Sequence, residues 1–474
     1  MTTQTRRTFL RDASIAAALL GCMDEIPVLG QAVPIPAKGR AWITTGEERF
    51  KEQSFPGWQA NSDAGASGIE IDASQKFQSM LGFGGAFTDA SCYLMSQMEP
   101  EPRRQLMAEL LGRDGLEFSM ARTCIGSSDY SRTAYSFDDS STPDPELKNF
   151  SIAHDQEYIL PVLREAIQTN PELFVFSAPW SPPGWMKSGG SLLGGSMRKP
   201  SFPAYAEYFV KFLEAYKAEG VPVRAVTTQN ELDTDQDGRM PACLWGQEYE
   251  TGFIRDHLGP AIQKAKLDTK IWILDHNYDL WGRAEDQLAN PALAQFVDGV
   301  AWHGYMGKED AMSRVHDAFP DKHAYWTEGG PDYTLPDYAT DWAKWSGTFA
   351  GILRNWARCI VCWNVVLDEK GAPNIGPFNC GGLLTLDSKT QKLSRSGMYW
   401  AFAHYSKAVH RGARVIATKG SFPNVDHVGF ANPDGSYVLV LTNQGEQRDI
   451  RCRFDGKSLE AQLPANSVTT LRWA

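Results

Sequence analysis

The sequence predicts an α/β fold: a closed (β/α)8 TIM barrel with an accessory β-sandwich domain built from both chain ends. Three observations lead to this prediction. From about residue 80, short apolar runs alternate with longer amphipathic stretches, which is the pattern of βα units. Eight such runs can be counted. After about residue 407 the texture changes to short alternating segments that are typical of antiparallel strands.

The eight apolar runs are the predicted barrel strands. They are Met80–Thr88, Phe118–Gly126, Leu173–Trp180, Arg224–Glu231, Lys270–Asn277, Val297–Tyr305, His323–Gly330 and Cys359–Asp368. Helical patterns separate them. The clearest is Tyr205–Gly220, where aromatic and aliphatic residues recur at i, i+3 and i+4 and a glycine stands where a helix would stop. Eight strands with eight helices indicate a closed barrel.

The two chain ends predict the side domain. Pro433-Asp434-Gly435 separates two alternating segments and is a hairpin signal. Residues 33–75 are also helix-poor, and they precede the first barrel strand. We therefore expect a sandwich built from 33–75 and 408–474, with a catalytic barrel over 76–407.

Residues 1–32 have the features of an export signal. Arg6-Arg7 forms a twin-arginine signature before an apolar run. Cleavage after Ala32 is favoured over lipidation at Cys22, because Leu20 is large for its place in a lipoprotein box; both endings stay open. The expected location is periplasmic or secreted. No window of 18 or more apolar residues predicts a transmembrane span.

Charge and composition favour a neutral carbohydrate partner. The net charge of −11 argues against nucleic acid and anionic membranes, which need a basic surface. Fifteen Trp and sixteen Tyr can stack on sugar faces, although most will fill the core.

No metal and no cofactor is expected for this protein, and the cysteines do not change that expectation. Cys359 and Cys362 have metal-ligand spacing, but a strand would point them to opposite faces, and no second pair stands at zinc spacing. Of eight cysteines, loss of Cys22 with the signal leaves an odd seven, so at least one is unpaired within the chain.

Two glutamates at strand ends are the candidate catalytic pair. In such barrels the active site lies at the carboxyl ends of the strands. Glu231 ends the fourth run and Glu328 lies near the end of the seventh, nearly opposite in an eight-strand ring. A retaining glycosidase needs its two carboxyls about 5–5.5 Å apart, whereas an inverting enzyme needs about 6.5–9.5 Å. Asn230 could bond the sugar 2-hydroxyl. Either glutamate taken alone could instead belong to a structural ion pair.

Several motifs resemble glycoside hydrolase family 30, the glucosylceramidase-like retaining β-glycosidases. The resemblance runs from about residue 40 to the end, and the motifs are specific in combination. The matching segments are Gly82–Ala90, Trp180–Lys187, Phe209–Leu213, Trp326–Glu328, Tyr399–Lys407 and Leu463–Thr470.

The resemblance implies a role for each matching residue. Glu231 would be the general acid/base and Glu328 the nucleophile. The sugar in the −1 subsite would be held by Asp129, Trp180 and Trp363. His303 and Tyr305 would lie near the nucleophile, where Tyr305 could donate a hydrogen bond to Glu328 and keep it ionised.

Two further residues are substrate-binding candidates with open alternatives. Asp89 could hold sugar hydroxyls or cap the following helix. Asn379, in the loop after the eighth strand, could border the substrate. We expect hydrolysis of a β-glucoside, either a glycolipid or a β-1,6-glucan. A β-xylosidase or β-fucosidase on the same scaffold is the alternative, and a non-catalytic carbohydrate-binding protein is a third. The mechanism also predicts that a neighbouring charge raises the pKa of Glu231.

Overall fold

The computed structural model describes residues 39–60 and 67–474. The export signal predicted for residues 1–32, with Cys22, lies outside the described residues. The strands are β1 Arg40–Thr44, β2 Lys51–Gln53, β3 Gln59–Ala60, β4 Ile69–Ser79, β5 Gly82–Ala86, β6 Met120–Cys124, β7 Phe174–Ala178, β8 Val223–Thr227, β9 Lys270–Asn277, β10 Val297–His303, β11 His323–Glu328, β12 Ala357–Cys362, β13 Val366–Asp368, β14 Leu384–Leu386, β15 Leu393–Arg395, β16 Arg414–Lys419, β17 Val425–Ala431, β18 Tyr437–Asn443, β19 Arg448–Phe454, β20 Lys457–Leu463 and β21 Ser467–Trp473.

The α-helices lie mainly between the barrel strands. They span Asp89–Gln97, Pro100–Leu111, Ala153–Glu157, Ile159–Thr169, Phe202–Ala218, Gln247–Phe253, Gly259–Lys264, Trp281–Leu288, Pro291–Ala294, Asp310–Ala318, Trp342–Arg354 and Gly397–Ser406. The helix predicted from aromatic spacing is the one at Phe202–Ala218, and Gly220 follows it with φ +80°. This left-handed conformation is the reason a glycine stands there.

Strands β5 to β12 form the predicted closed parallel barrel. Each of the eight apolar runs contains one barrel strand or overlaps it, in the expected order around the ring. Most of the strands are shorter than the runs. The fourth run extends past its strand because β8 ends at Thr227, and the eighth because β12 ends at Cys362. Asn364, with φ +62°, redirects the chain after β12, and β13 joins a separate three-stranded sheet with β14 and β15.

Side chains from successive strands fill the barrel interior. Met120, Phe176, Trp272, Tyr325 and Cys359 belong to one buried cluster inside the ring. Helices cover the outside through a larger apolar core.

A glycine allows the first two barrel strands to approach closely. A Cβ added to Gly84 on β5 would lie only 1.9 Å from the carbonyl oxygen of Met120 on β6. No larger residue fits this position without moving the neighbouring strand, which explains part of the glycine-rich first motif.

The remaining ten strands form one sheet in the order β2-β1-β21-β18-β17-β16-β4-β19-β20-β3. The N-terminal strand β1 pairs with the last strand β21, and β4 pairs with both β16 and β19. The predicted hairpin joins β17 and β18. Residues from β4, β18, β20 and β21, among them Ile71, Leu439 and Leu459, share a separate buried core. The accessory domain is therefore built from both chain ends, as predicted.

Two helices join the barrel to this sheet. Helix Trp342–Arg354 packs on β17, β18 and β21, and helix Gly397–Ser406 packs on β21. His404 is fully buried at the junction, where its ring nitrogens contact the hydroxyls of Thr44 and Thr470 at 2.8 and 2.9 Å.

Each of the seven cysteines in the described ranges is unpaired. Cys359 lies in the cluster inside the barrel and Cys362 in the core outside it, so the two thiols point to opposite faces as expected.

Within residues 39–60 and 67–474, no helix has the length and apolarity needed to cross a bilayer.

Candidate active site

A fully buried arginine lies at the centre of the barrel mouth. Arg122 on β6 donates to Glu328, and its other terminal nitrogen donates to Asn230 at 2.8 Å and to Asp275 at 2.9 Å. These partners come from β11, from the segment after β8 and from β9. One guanidinium therefore positions groups from three further parts of the ring, which suits its rigid fork of donors.

Two tryptophans cover this arginine. The indoles of Trp180 and Trp363 stack with ring centres 4.9 Å apart, and the Arg122 guanidinium carbon lies 4.8 and 5.3 Å from their centres. Both are almost completely buried. They form a rigid apolar wall that excludes water from one side of the charge cluster and strengthens its ion pairs.

Asp275 connects the cluster to the barrel wall. Its two oxygens accept hydrogen bonds from Arg122 and, at 2.7 Å, from the hydroxyls of Thr227 and Thr327. One of them, Oδ1, also lies 3.0 Å from His303 Nε2. Burial alone would raise the pKa of Asp275, but Arg122 and His303 outweigh burial and hold it well below the ordinary range. This carboxylate is fixed in its ionised form.

Glu328 ends β11 with its carboxylate held by two donors. Arg122 donates to one oxygen, and the hydroxyl of Tyr305 donates to the other at 3.1 Å. The hydrogen bond from Tyr305 that the resemblance implied is therefore present. Two donors on a buried carboxylate fix its orientation.

Glu231 lies beyond the end of β8 in a strained conformation. Its φ of +50° is left-handed, which is uncommon for a residue with a side chain, and its N–H donates to the Asp275 carbonyl at 3.1 Å. One carboxylate oxygen lies 3.2 Å from His303 Nδ1, and Gln236 donates to the other at 3.5 Å. The backbone thus turns this side chain into the mouth.

His303 lies between the two glutamates. Its Nδ1 bonds Glu231, while its Nε2 bonds Asp275 and lies 3.8 Å from Glu328. Burial alone would lower the pKa of His303, but the three carboxylates raise it to about 9. The imidazole therefore carries a proton at neutral pH.

The pKa of Glu231 is shifted in the direction opposite to the expectation. Burial favours the neutral acid, but the hydrogen bond and charge of His303, with smaller contributions from His276 and Arg122, lower the pKa below its ordinary value. The expectation considered the neighbouring carboxylate and not the protonated histidine. In the free protein the shared proton resides on His303.

Asp129 presents an unused carboxylate oxygen at this mouth. The residue is 4% exposed, and its Oδ1 has no hydrogen-bond partner among the residues that the structure describes. Burial, with the charges of Glu328 and Glu231, raises its pKa well above the ordinary value. A buried carboxyl oxygen without a partner is costly, so a ligand with hydroxyl groups would stabilise it.

Two predicted residues are not drawn into the cluster. Asp89 accepts from Arg132 N–H at 2.8 Å and from Tyr158 at 2.6 Å, and lies 2.8 Å from His154. It anchors the loop after β6, while Thr88 caps the helix that begins at Asp89. Asn379 is exposed in the segment between β13 and β14.

The central residue of the site, Arg122, was missed by the sequence prediction. The sequence feature that could have revealed it is a charged residue inside the apolar run 118–126, because a buried charge requires a partner. The prediction concentrated on strand ends and did not ask what a mid-strand arginine would contact. Asp275, within the predicted strand run Lys270–Asn277, proves to be the main anchor of the site.

Comparisons with known proteins define the class. The chain is 31% identical to an endo-1,6-β-D-glucanase of Neurospora crassa over 85% of this chain and 88% of the relative. It is 28% identical to the lysosomal acid glucosylceramidase of Mus musculus over 93% and 90% of the two chains. The solved structure of an endo-β1,6-glucanase superposes with a TM-score of 0.84 at 29% identity, covering 92% of this chain and 99% of that one. The protein is an O-glycoside hydrolase and acts on carbohydrate.

The family follows from the domain matches. Residues 80–409 match the TIM-barrel domain of glycosyl hydrolase family 30, and residues 412–471 match the β-sandwich domain of the same family. The chain belongs to glycosyl hydrolase family 30.

Proposed function

We propose that the protein is a retaining β-glucosidase that cleaves β-1,6-linked glucan, with Glu328 as nucleophile and Glu231 as general acid/base. One observation carries the proposal. Two glutamates from nearly opposite parts of the ring face the same imidazole, and one of them, Glu328, is held by the donors of Arg122 and Tyr305. The relatives named as 1,6-glucanases support the linkage.

The first half of the reaction forms a glycosyl ester. Glu328 attacks the anomeric carbon while the bond to the leaving oxygen breaks, and that oxygen takes a proton from Glu231. This proton is shared between Glu231 and His303, because His303 Nδ1 lies 3.2 Å from the Glu231 oxygen. As negative charge leaves the Glu328 carboxylate, Arg122 loses an ion-pair partner but keeps Asp275.

The second half restores the enzyme. Glu231, now ionised, removes a proton from water, the water oxygen attacks the anomeric carbon, and the ester bond to Glu328 breaks. Two inversions give a product with the β configuration. The proton returns to the pair of Glu231 and His303.

Two neighbouring side chains suit the sugar hydroxyls. Asn230 accepts from Arg122 through its oxygen, which leaves its amide N–H groups for the 2-hydroxyl. The unpartnered oxygen of Asp129 accepts hydrogen bonds from hydroxyls on the far side of the sugar ring. Asp89 and Asn379 stay predicted substrate contacts at the edge of this arrangement.

A glucoside with an apolar aglycone is the second candidate. The large exposed apolar side chains of the described region lie on loops and helices that follow barrel strands: Leu193, Leu244, Tyr249, Tyr305, Met306, Leu335 and Phe378. Loops that follow the strands of such a barrel border its mouth, so exposed apolar side chains on them favour an apolar partner. A glycolipid would use this surface more fully than a soluble glucan.

A substrate panel tests the proposal. Purified protein is assayed on β-1,6-glucan, β-1,3-glucan, glucosylceramide and p-nitrophenyl β-glucoside, β-xyloside and β-fucoside. We expect turnover of β-1,6-glucan with β-anomeric product seen first by NMR. An α-anomer would contradict retention, and preference for the xyloside or fucoside would change the sugar.

Matched variants test the roles. Glu328→Ala and Glu231→Ala should each lose at least about 10³-fold in kcat, and azide should restore Glu328→Ala by forming an α-glucosyl azide. Glu248→Ala, an exposed glutamate on a nearby helix, is the control. Full activity in either active-site variant would reject the assignment of these roles, whereas no turnover of any substrate by the parent protein would favour a binding protein.

We also propose export by the twin-arginine signal and the domain bounds 1–32, 33–75, 76–407 and 408–474. The Arg6-Arg7 motif supports the signal, and the gap between helix Gly397–Ser406 and β16 supports the bound at 407; β4 of the accessory sheet runs on to Ser79, a few residues past the bound at 75. Replacing both arginines by lysine should retain the protein in the cytoplasm on fractionation. Cys22→Ser distinguishes lipid anchoring, since only an anchored protein would leave the membrane fraction.

A further inference from the structure

Two histidines and a glutamate converge at one side of the mouth. One donor atom each from Glu231, His276 and His303 lies within 4.8 Å of the others. His303 is fully buried, His276 is 5% exposed and the Glu231 side chain is 15% exposed. The cluster is enclosed on the protein side and open only through the glutamate.

Each histidine is oriented by a carboxylate on its other nitrogen. His276 Nε2 bonds Asp233, and His303 Nε2 lies 3.0 Å from Asp275. Metal-ligating histidines in proteins usually have this arrangement, because the carboxylate fixes the ring and makes the opposite nitrogen a better donor.

The opposite nitrogen of each histidine, Nδ1, remains as its candidate metal donor. His303 Nδ1 faces Glu231 at 3.2 Å. His276 Nδ1 is buried and has no hydrogen-bond partner among the described residues, although a buried ring nitrogen is normally satisfied. The catalytic roles proposed above do not use this nitrogen.

We propose that Glu231, His276 and His303 form a binding site for Zn²⁺ or a similar divalent transition-metal ion, and that the ion inhibits the enzyme. Two imidazoles and one carboxylate are a ligand set that zinc prefers, with bonds of about 2.0–2.2 Å and a fourth position open to water. Mg²⁺ and Ca²⁺ require oxygen ligands and do not suit it.

The local geometry and charge suit a cation. Tetrahedral bonds of this length place donors about 3.4 Å apart, so donor atoms that lie within 4.8 Å of one another need to approach by at most about 1.4 Å. Rotation of the partly exposed Glu231 side chain can shorten its own distance from either imidazole. Four carboxylates, of Glu231, Asp233, Asp275 and Glu328, surround the site against the charges of Arg122 and of the protonated His303, and the ion releases the His303 Nδ1 proton when it binds.

Inhibition follows from the identity of one ligand. A carboxylate bound to zinc cannot give a proton to the leaving oxygen or take one from water. This consequence rests on the proposed function of Glu231, whereas the binding of the ion does not.

Metal binding is measured without substrate. Untagged, chelator-treated protein is titrated with ZnCl₂ by calorimetry and with CoCl₂ by visible absorption, where tetrahedral Co²⁺ gives intense bands. We expect one equivalent bound, affinity about 100-fold or more weaker in His276→Ala and Glu231→Gln, and about 10-fold weaker in Asp233→Asn. His257→Ala, which removes a histidine of the outer helices, should bind as the parent does.

The outcomes separate the two proposals. Absence of saturable binding, or equal affinity in the parent, His276→Ala and Glu231→Gln, would overturn the metal site. Circular dichroism checks that each variant is folded. If His276→Ala does not fold, the isosteric variant Glu231→Gln decides the result. Saturable binding by a protein without glycosidase activity would support the site and reject the proposed function. Zn²⁺ should inhibit the active parent, with EDTA reversing the effect.

Discussion

A single arginine decides the geometry of both catalytic candidates. Arg122 donates to Glu328, Asn230 and Asp275, and no other side chain in the described cluster contacts all three. Because its fork is rigid, the positions of these groups are coupled. A lysine has the same charge but offers a point donor that cannot span them.

Arg122→Lys should therefore reduce kcat more than it changes KM. Loss of two charge-assisted hydrogen bonds, each worth about 1.5–3 kcal/mol, corresponds to a decrease of at least about 10²-fold. Steady-state kinetics on the best substrate of the panel measures it. Arg395→Lys is the control, since Arg395 makes a similar two-bond pair with Glu109 away from the mouth. Equal effects in the two variants would show general destabilisation instead.

Asp129 illustrates how function and stability oppose each other at one residue. Its buried oxygen lacks a partner and its pKa is raised by burial, which means that the free protein carries an unfavourable group. Asp129→Asn should raise the melting temperature while lowering kcat/KM by about 10-fold or more, because an amide accepts fewer sugar hydroxyls. Calorimetry and kinetics test both. A lower melting temperature would contradict this account.

At the scale of elements, irregular strand ends bring the site together. β9 has a bulge at which Leu274 and Asp275 have φ of +73° and +46°, and this aims the Asp275 carboxylate into the barrel. Strain of this kind persists only where its surroundings hold it. Buried Glu250 supplies that support, accepting from Leu274 N–H at 3.4 Å and from the Thr228 hydroxyl at 2.8 Å.

Glu250→Gln should weaken both the fold and the reaction. The variant leaves Arg283, which donates to Glu250 at 3.0 Å, without its anion and loosens the bulge behind Asp275. We expect a loss of about 3 kcal/mol in unfolding free energy and a lower kcat. Denaturant unfolding and kinetics below the melting range measure these. Glu285→Gln, which removes a longer and more exposed pair with Arg314, should change neither.

At the scale of the whole molecule, the junction between barrel and sandwich contains a buried neutral histidine. Burial lowers the pKa of His404 to about 3. The unfolded chain takes up a proton near pH 6.5, while the folded chain stays neutral until about pH 3. Unfolding therefore binds a proton between these values, and stability is lost as the pH falls below about 6.5.

His404→Gln should reduce this dependence on pH. The slope contributed by one such group is about 1.4 kcal/mol per pH unit, and glutamine removes it while keeping polar atoms near Thr44 and Thr470. Unfolding free energies between pH 4.5 and 7 test the change in slope, with His257→Gln as control. An unchanged slope would show that other groups govern acid stability.

The sequence by itself determined the periodic elements and the residues that close them. Apolar runs of strand length specify strands whatever surrounds them, and a costly carboxylate after such a run marks a site, as Glu231 and Glu328 do. Tertiary structure alone decided what these residues contact. Arg122 becomes central because the barrel closes around it. Asp89 accepts a hydrogen bond from a loop residue 43 positions further along the chain. His303 holds the proton because three carboxylates from distant segments surround it. Such electrostatic effects depend on distances of a few ångströms between residues far apart in the chain, which periodicity does not encode.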